Sequence, residues 1–174
     1  LEGLKEEIES CDKDKQLIVL HTGTSHGPTY NQKYPAEFEK FTPVCNTVEI
    51  STADKQELMN AYDNTILYTD YLVHSVIETL RGIDNKRCCM LFVSDHGESL
   101  GEDNLFMHGM PKKIAPKEQF EIPFIVWHND SATSMKELDE VEQYYVFHSV
   151  MNWFGMTSDI YDEKMNIFEP TAKE

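Results

Sequence analysis

The sequence predicts an α/β fold, with a mainly parallel sheet flanked by helices, and three observations carry that expectation. Short apolar runs rich in β-branched or aromatic residues at 17–20, 90–93 and 122–127 read as buried strands. Two stretches, roughly 53–81 and 134–154, space their apolar residues as helices do. The first two strands each run into a glycine-containing loop that carries histidine, and an open α/β sheet places its ligands at such strand ends. Strands and helices in this order belong to a parallel sheet. Three strands are few for one, so the fold is expected to be incomplete at its N-terminal side.

A chain of 174 residues fits one domain and can bury a core. Its formal net charge of −16 excludes nucleic acid as the expected partner, because phosphate-backbone binding needs Lys and Arg to release counterions. It also argues against a polybasic membrane-surface patch. No run approaches the roughly 20 apolar residues of a membrane span. Leu1, Leu4 and Ile8 open the chain on a helical stripe, which reads as a piece of a longer protein. Cys11, Cys45, Cys88 and Cys89 match no metal-ligand spacing and fix no compartment.

Taken in order, the run Leu17–Leu20 ends in the turn-rich loop 21–28, where His26 precedes Gly27-Pro28 and is placed to contact a ligand. Residues 30–50 are aromatic and proline-punctuated, and read as irregular local packing. Ser51 and Asp54 read as a capping box opening the longest helix, Ala53 to Arg81, which Gly82 stops. Its Asp63, Asn64 and Asp70 read as solvated. The second strand breaks at Ser94-Asp95-His96-Gly97-Glu98. His108 follows, twelve residues after His96, bracketed by Gly101, Gly109 and Pro111. A loop of that length can fold back and bring the two imidazoles together. The third strand enters through Pro123. Ser134 and Glu137 read as a second capping box, opening a helix to Phe154 with His148 on its apolar stripe as a satisfied core group.

An Asp-His pair alone reads more often as a turn cap beside an ordinary loop residue. Together, Asp95, His96, His26 and His108 offer one carboxylate and three imidazoles on loops at the same expected edge of the sheet. That donor set suits zinc better than magnesium or calcium. A divalent ion there binds a phosphoryl oxygen and activates a hydroxyl nucleophile, and the histidines hold phosphate oxygens or protonate a leaving group. The GxSxG, Walker and HExxH patterns are absent.

These residues lie in longer stretches, Val93–Glu102, His108–Pro111 and Ala115–Gln119, with Ser25–Tyr30, Tyr34-Pro35, Phe38–Cys45 and Tyr62–Tyr71 upstream. In them the chain resembles the lipid A phosphoethanolamine transferases, colistin-resistance enzymes included, of the alkaline phosphatase and sulfatase superfamily. The likeness runs from about Gly3 to Trp127. It implies that Asp95 and His96 are zinc ligands, and that His26 and His108 are catalytic and substrate-binding histidines facing the phosphoryl group or a second zinc. It implies a threonine upstream of this sequence that attacks phosphatidylethanolamine, holds phosphoethanolamine covalently and passes it to lipid A or lipooligosaccharide. A glutamate further upstream would complete the zinc shell. Thr22 and Thr24 do not match that nucleophile position.

On this resemblance, residues 1–174 are the C-terminal portion of a single sulfatase-like catalytic domain, with the upstream half and a membrane region absent. The parent enzyme would sit in the bacterial inner membrane with its catalytic domain in the periplasm, conferring polymyxin resistance. Alone, this polypeptide is expected to be inactive and to bind zinc weakly. Two departures stand out. His21-Thr22-Gly23-Thr24 replaces the family's usual His-Gln-Met-Gly, and no second cysteine follows Cys45 within 48–55 to bridge it. The alternatives are a sulfatase or phosphodiesterase of the same superfamily, and a non-catalytic binding module.

Overall fold

A computed structural model describes residues 1–169. In chain order its main elements are α1 (Leu4–Ser10), α2 (Lys55–Arg81), β1 (Cys89–Val93), β2 (Ser99–Leu100), β3 (Phe106–Met107), β4 (Phe124–His128) and α3 (Tyr145–Trp153), with short 3-10 turns between them. They form two compact units, one of residues 18–78 and 94–123 with Leu1, the other of 2–17, 79–93 and 124–169. The chain is mixed helix and sheet, as expected. No described helix is long and apolar enough to cross a membrane.

The first unit is built on α2. Asp54 caps it, its Oδ1 accepting the backbone N–H of Gln56 at 2.9 Å and of Glu57 at 3.1 Å, which satisfies two donors that a helix start leaves open. Ser51 is not the cap; it lies in the 3-10 turn Ile50–Thr52. Leu58 and Ala61 of α2 join Tyr30, Cys45 and Ile50 in one buried cluster. The β2–β3 hairpin packs on that cluster through Leu100, Phe106 and Met107.

Asn64 departs from expectation. It is fully buried, accepts the N–H groups of Lys40 and Phe41, and donates to the Phe41 carbonyl at 2.9 Å. Asn60 likewise donates to the Pro43 carbonyl at 2.8 Å. The irregular segment 40–43 has no ladder of its own, so the helix satisfies its backbone with amide side chains.

In the second unit β1 and β4 pair in register from Cys89↔His128 to Val93↔Phe124, and the pairing is antiparallel. This corrects the expected parallel arrangement for these two strands. The chain leaves β1 at Val93 and re-enters at its partner Phe124, so the excursion between them starts and ends at one end of the ladder. A parallel return needs a crossover to the other end. The hairpin β2–β3 is antiparallel too.

The run Leu17–Leu20 joins no described strand, and Val19 is 81% exposed. A strand needs a neighbour for its backbone groups, and apolarity alone does not provide one. The second capping box also fails to open a helix. Met135 bridges Phe168, and Lys136 N–H donates to the Ile167 carbonyl at 2.9 Å, so the segment pairs with the C-terminal stretch and α3 starts only at Tyr145. His148 is buried on α3 and its Nδ1 accepts the Asp162 N–H at 3.0 Å, a satisfied core group.

Candidate metal and catalytic site

Three loops of the first unit deliver the histidines, and each is held by a different device. The His26 loop rests on α2 through hydroxyls: Thr24 and Thr69 approach to 2.5 Å, and Thr65 donates to Ser25 at 3.0 Å. These threonines lie on the helix stripe because a threonine can pack its methyl and bond with its hydroxyl at once. The His96 loop is pinned by Gly97, whose N–H donates to the Gln119 carbonyl at 3.0 Å. A Cβ on Gly97 would overlap the Glu118 carbonyl oxygen, so only glycine fits there. His108 leaves the hairpin directly after Met107, whose φ of 63° turns the chain out of the ladder. That left-handed backbone costs a non-glycine residue about 1 kcal/mol, and the Met107 side chain is packed against the core cluster, which offsets it.

The result brings His26, His96 and His108 together, with one nitrogen of each within 4.8 Å of the others. The His96 and His108 rings stack at 3.7 Å between centroids, and His26 stands edge-on to His108 at 5.1 Å. The loop after β1 does fold back as its length allows. Asp95 lies beside His96, outside the cluster of three nitrogens. Its side chain is 82% exposed, with Oδ1 accepting the His96 N–H at 3.1 Å and Oδ2 lying 3.8 Å from His96 Nε2.

The hydrogen bonds decide which nitrogens face the centre. His26 Nδ1 is 2.7 Å from the Gly27 carbonyl and His96 Nδ1 is 3.0 Å from the Gly97 carbonyl. A carbonyl only accepts, so both rings carry their proton on Nδ1 and leave the Nε2 lone pair open. His108 Nδ1 meets Glu98 Oε1 at 3.0 Å. An imidazole that gives its second N–H to a carbonyl or carboxylate is the usual state of a metal-bound histidine. Zinc takes imidazole nitrogen and carboxylate oxygen as ligands, and His96 with the adjacent Asp95 carboxylate supplies one of each. The donor set fits zinc.

Glu98, Tyr30 and Gln119 were not singled out from the sequence. Glu98 is buried and accepts from Tyr30 at 2.7 Å as well as facing His108. Burial chiefly, then the bond to Glu98, pushes the Tyr30 hydroxyl pKa up, and it keeps its proton. Gln119 donates to Ser99 at 2.9 Å, joining β2 to the turn that holds Gly97. A glutamate is rarely buried, so its place in the Asp-His-Gly-Glu run gave the only signal.

A sulfatase family model matches residues 1–156. The phosphoethanolamine transferase EptA of Helicobacter pylori is 41% identical over 158 residues, which cover 88% of this chain and 30% of that protein. The C-terminal periplasmic domain of phosphoethanolamine transferase EptC from Campylobacter jejuni superposes with a TM-score of 0.87 at 41% identity, covering 97% of this chain and 56% of that one. The soluble domain of lipooligosaccharide phosphoethanolamine transferase A from Neisseria meningitidis gives 0.89 at 33% identity, over 99% and 55%. The chain thus spans under a third of the Helicobacter relative and just over half of each solved domain. With its α/β architecture and histidine-lined loops, the chain belongs to the sulfatase family and is similar, within it, to the phosphoethanolamine transferases.

Proposed function

We propose that the protein acts as a zinc-dependent transferase, moving phosphoethanolamine from phosphatidylethanolamine to lipid A or a lipooligosaccharide. The transfer would run through a covalent enzyme intermediate on a threonine outside residues 1–174. The observation that supports this reading is the convergence of the three imidazoles, one nitrogen of each within 4.8 Å of the others, with each ring's Nδ1 facing an acceptor. His96 is the proposed ligand from this trio, with Asp95 as its neighbouring carboxylate. A zinc ion held there would polarise a phosphoryl oxygen and lower the pKa of a bound hydroxyl. His26 and His108 bind the phosphoryl oxygens, and either one, protonated at Nε2, can pass that proton to the departing oxygen. The Campylobacter domain is named periplasmic and a Neisseria meningitidis relative is named an integral membrane protein, which supports assigning this domain to the periplasm, on the inner membrane through a region outside this chain.

The test is to express the full-length protein in a host whose lipid A lacks the modification, and to read lipid A by mass spectrometry. Wild type should add phosphoethanolamine, and chelation should abolish the transfer in vitro until zinc is returned. His26→Ala and His108→Ala should each lower the rate about a hundredfold or more, the usual contribution of general acid–base catalysis. Hydrolysis of a sulfate ester or phosphodiester without transfer would replace this reading with the hydrolase. Ligand binding with no turnover would replace it with the binding module.

A further inference from the structure

We propose that Glu98 is a positioning residue that sets the tautomer of His108, and that Tyr30 holds Glu98 to that role. Of the three clustered histidines, His26 and His96 bond the carbonyl of the next residue in their own loop, an acceptor no substitution removes. His108 instead relies on a side chain ten residues away. That side chain is only 4% exposed, and both its oxygens are engaged, Oε1 by His108 Nδ1 at 3.0 Å and Oε2 by the Tyr30 hydroxyl at 2.7 Å. Tyr30 is fully buried, edge-on to Tyr62 at 5.5 Å, and closed in by Gly27, where a Cβ would stand 2.6 Å from the Tyr30 hydroxyl. Its proton therefore has one destination, Glu98. A carboxylate so held accepts from both neighbours. His108 carries its proton on Nδ1 and turns an unprotonated Nε2 toward His26 and His96.

A glutamine at position 98 makes the logic visible, because an amide has one acceptor end and one donor end. The buried Tyr30 hydroxyl must donate, so it takes the amide oxygen. The amide NH2 is then left facing His108 Nδ1, which must accept, and the imidazole proton moves to Nε2. Removing the Tyr30 hydroxyl as well frees the amide to turn its oxygen to His108, and the original tautomer returns. A purely structural role for Glu98 predicts no such reversal.

The tautomer does not depend on the reaction; only its catalytic consequence rests on the proposed transfer. The experiment is long-range proton–nitrogen NMR on the full-length protein labelled in its histidines, as purified and again after chelation. The pH should lie above the ordinary histidine pKa of about 6.5. His148, whose Nδ1 accepts the Asp162 N–H, reports the opposite tautomer in every sample and serves as the folding control. After chelation, wild-type His108 should show Nδ1–H, Glu98→Gln should show Nε2–H, and the double variant Glu98→Gln with Tyr30→Phe should show Nδ1–H again. Wild-type His108 with Nε2–H, or one unchanged by Glu98→Gln, overturns the proposal. Should Glu98→Gln fail to fold, Tyr30→Phe decides: it should keep Nδ1–H while that proton exchanges faster with water, and an unaltered exchange rate overturns the part given to Tyr30. In the transfer assay Glu98→Gln should lower kcat while leaving KM within about twofold, with the double variant recovering kcat. A wild-type protein without transfer activity but with the three tautomers as stated would refute the proposed function and leave this inference standing.

Discussion

Asp130 carries its charge among donors. The Thr133 hydroxyl donates to Oδ2 at 2.6 Å, the Ala132 N–H to Oδ1 at 2.9 Å, and Arg87 Nε to Oδ2 at 2.6 Å. Those bonds, the threonine's first, hold its pKa down at about 2. The folded state thus binds fewer protons here than the unfolded chain, whose aspartates titrate near about 3.9. This contribution to stability is complete above about pH 4 and is lost as pH falls toward 2. In urea melts, wild type should therefore be more stable than Asp130→Asn at pH 6, and the difference should shrink between pH 4 and pH 2. A difference that stays constant over that window would mean the carboxylate is not favoured in the fold. Arg87 stays in place in this comparison, because it also donates to the Trp153 carbonyl at 2.8 Å and lies 3.6 Å over that indole. The three site histidines were legible at this scale because glycine or proline flanks each loop. Glu98 and Tyr30 were not, since what makes them matter is burial, and no local pattern marks a buried glutamate.

The elements that could be read in advance are those whose evidence is local. The stripe of α2 repeats over 27 residues, so neither the misplaced cap nor its buried asparagines obscured it. The strand ends at 89–93 and 124–128 were located by their apolar runs, but direction is a property of the connection, and the sequence of a strand does not state it. The capping box at Ser134 lost to a non-local partner, since pairing with 167–169 satisfied the same backbone groups. Gly97 is where an element and the site meet. Its missing side chain lets the His96 loop lie against the backbone of the 117–119 turn, and backbone cannot step aside as a side chain can. Gly97→Ala should lower stability by about 1–3 kcal/mol, the usual cost of overpacking. On the proposed zinc site it should also lower zinc affinity, by displacing His96, the proposed ligand. Thermal melts and zinc titration check the two effects, and an alanine variant with wild-type values in both would show that the loop has room to shift.

For the whole chain the governing quantity is charge: 31 acidic residues against 15 lysines and arginines, a formal net of −16. Part of that excess sits close together, with Glu137, Asp139, Glu140 and Glu142 all exposed in the segment before α3. Like charges at that density repel, and compaction brings them nearer, so the folded state carries the larger penalty. Salt shortens the reach of that repulsion, from about 30 Å at 0.01 M to about 10 Å at 0.1 M. Exposed ion pairs such as Lys117–Glu121 at 3.0 Å are screened by the same salt, but such pairs are each worth at most about 1 kcal/mol. Repulsion therefore outweighs them, and the melting temperature should rise with added sodium chloride and level off near physiological ionic strength. Sodium sulfate at equal ionic strength should give the same rise in the dilute range, because screening depends on ionic strength alone there, and should exceed it only at high concentration, where exclusion from the protein surface takes over. A melting temperature that falls as salt is added would show that the ion pairs, not the acidic excess, set the electrostatic balance of the fold.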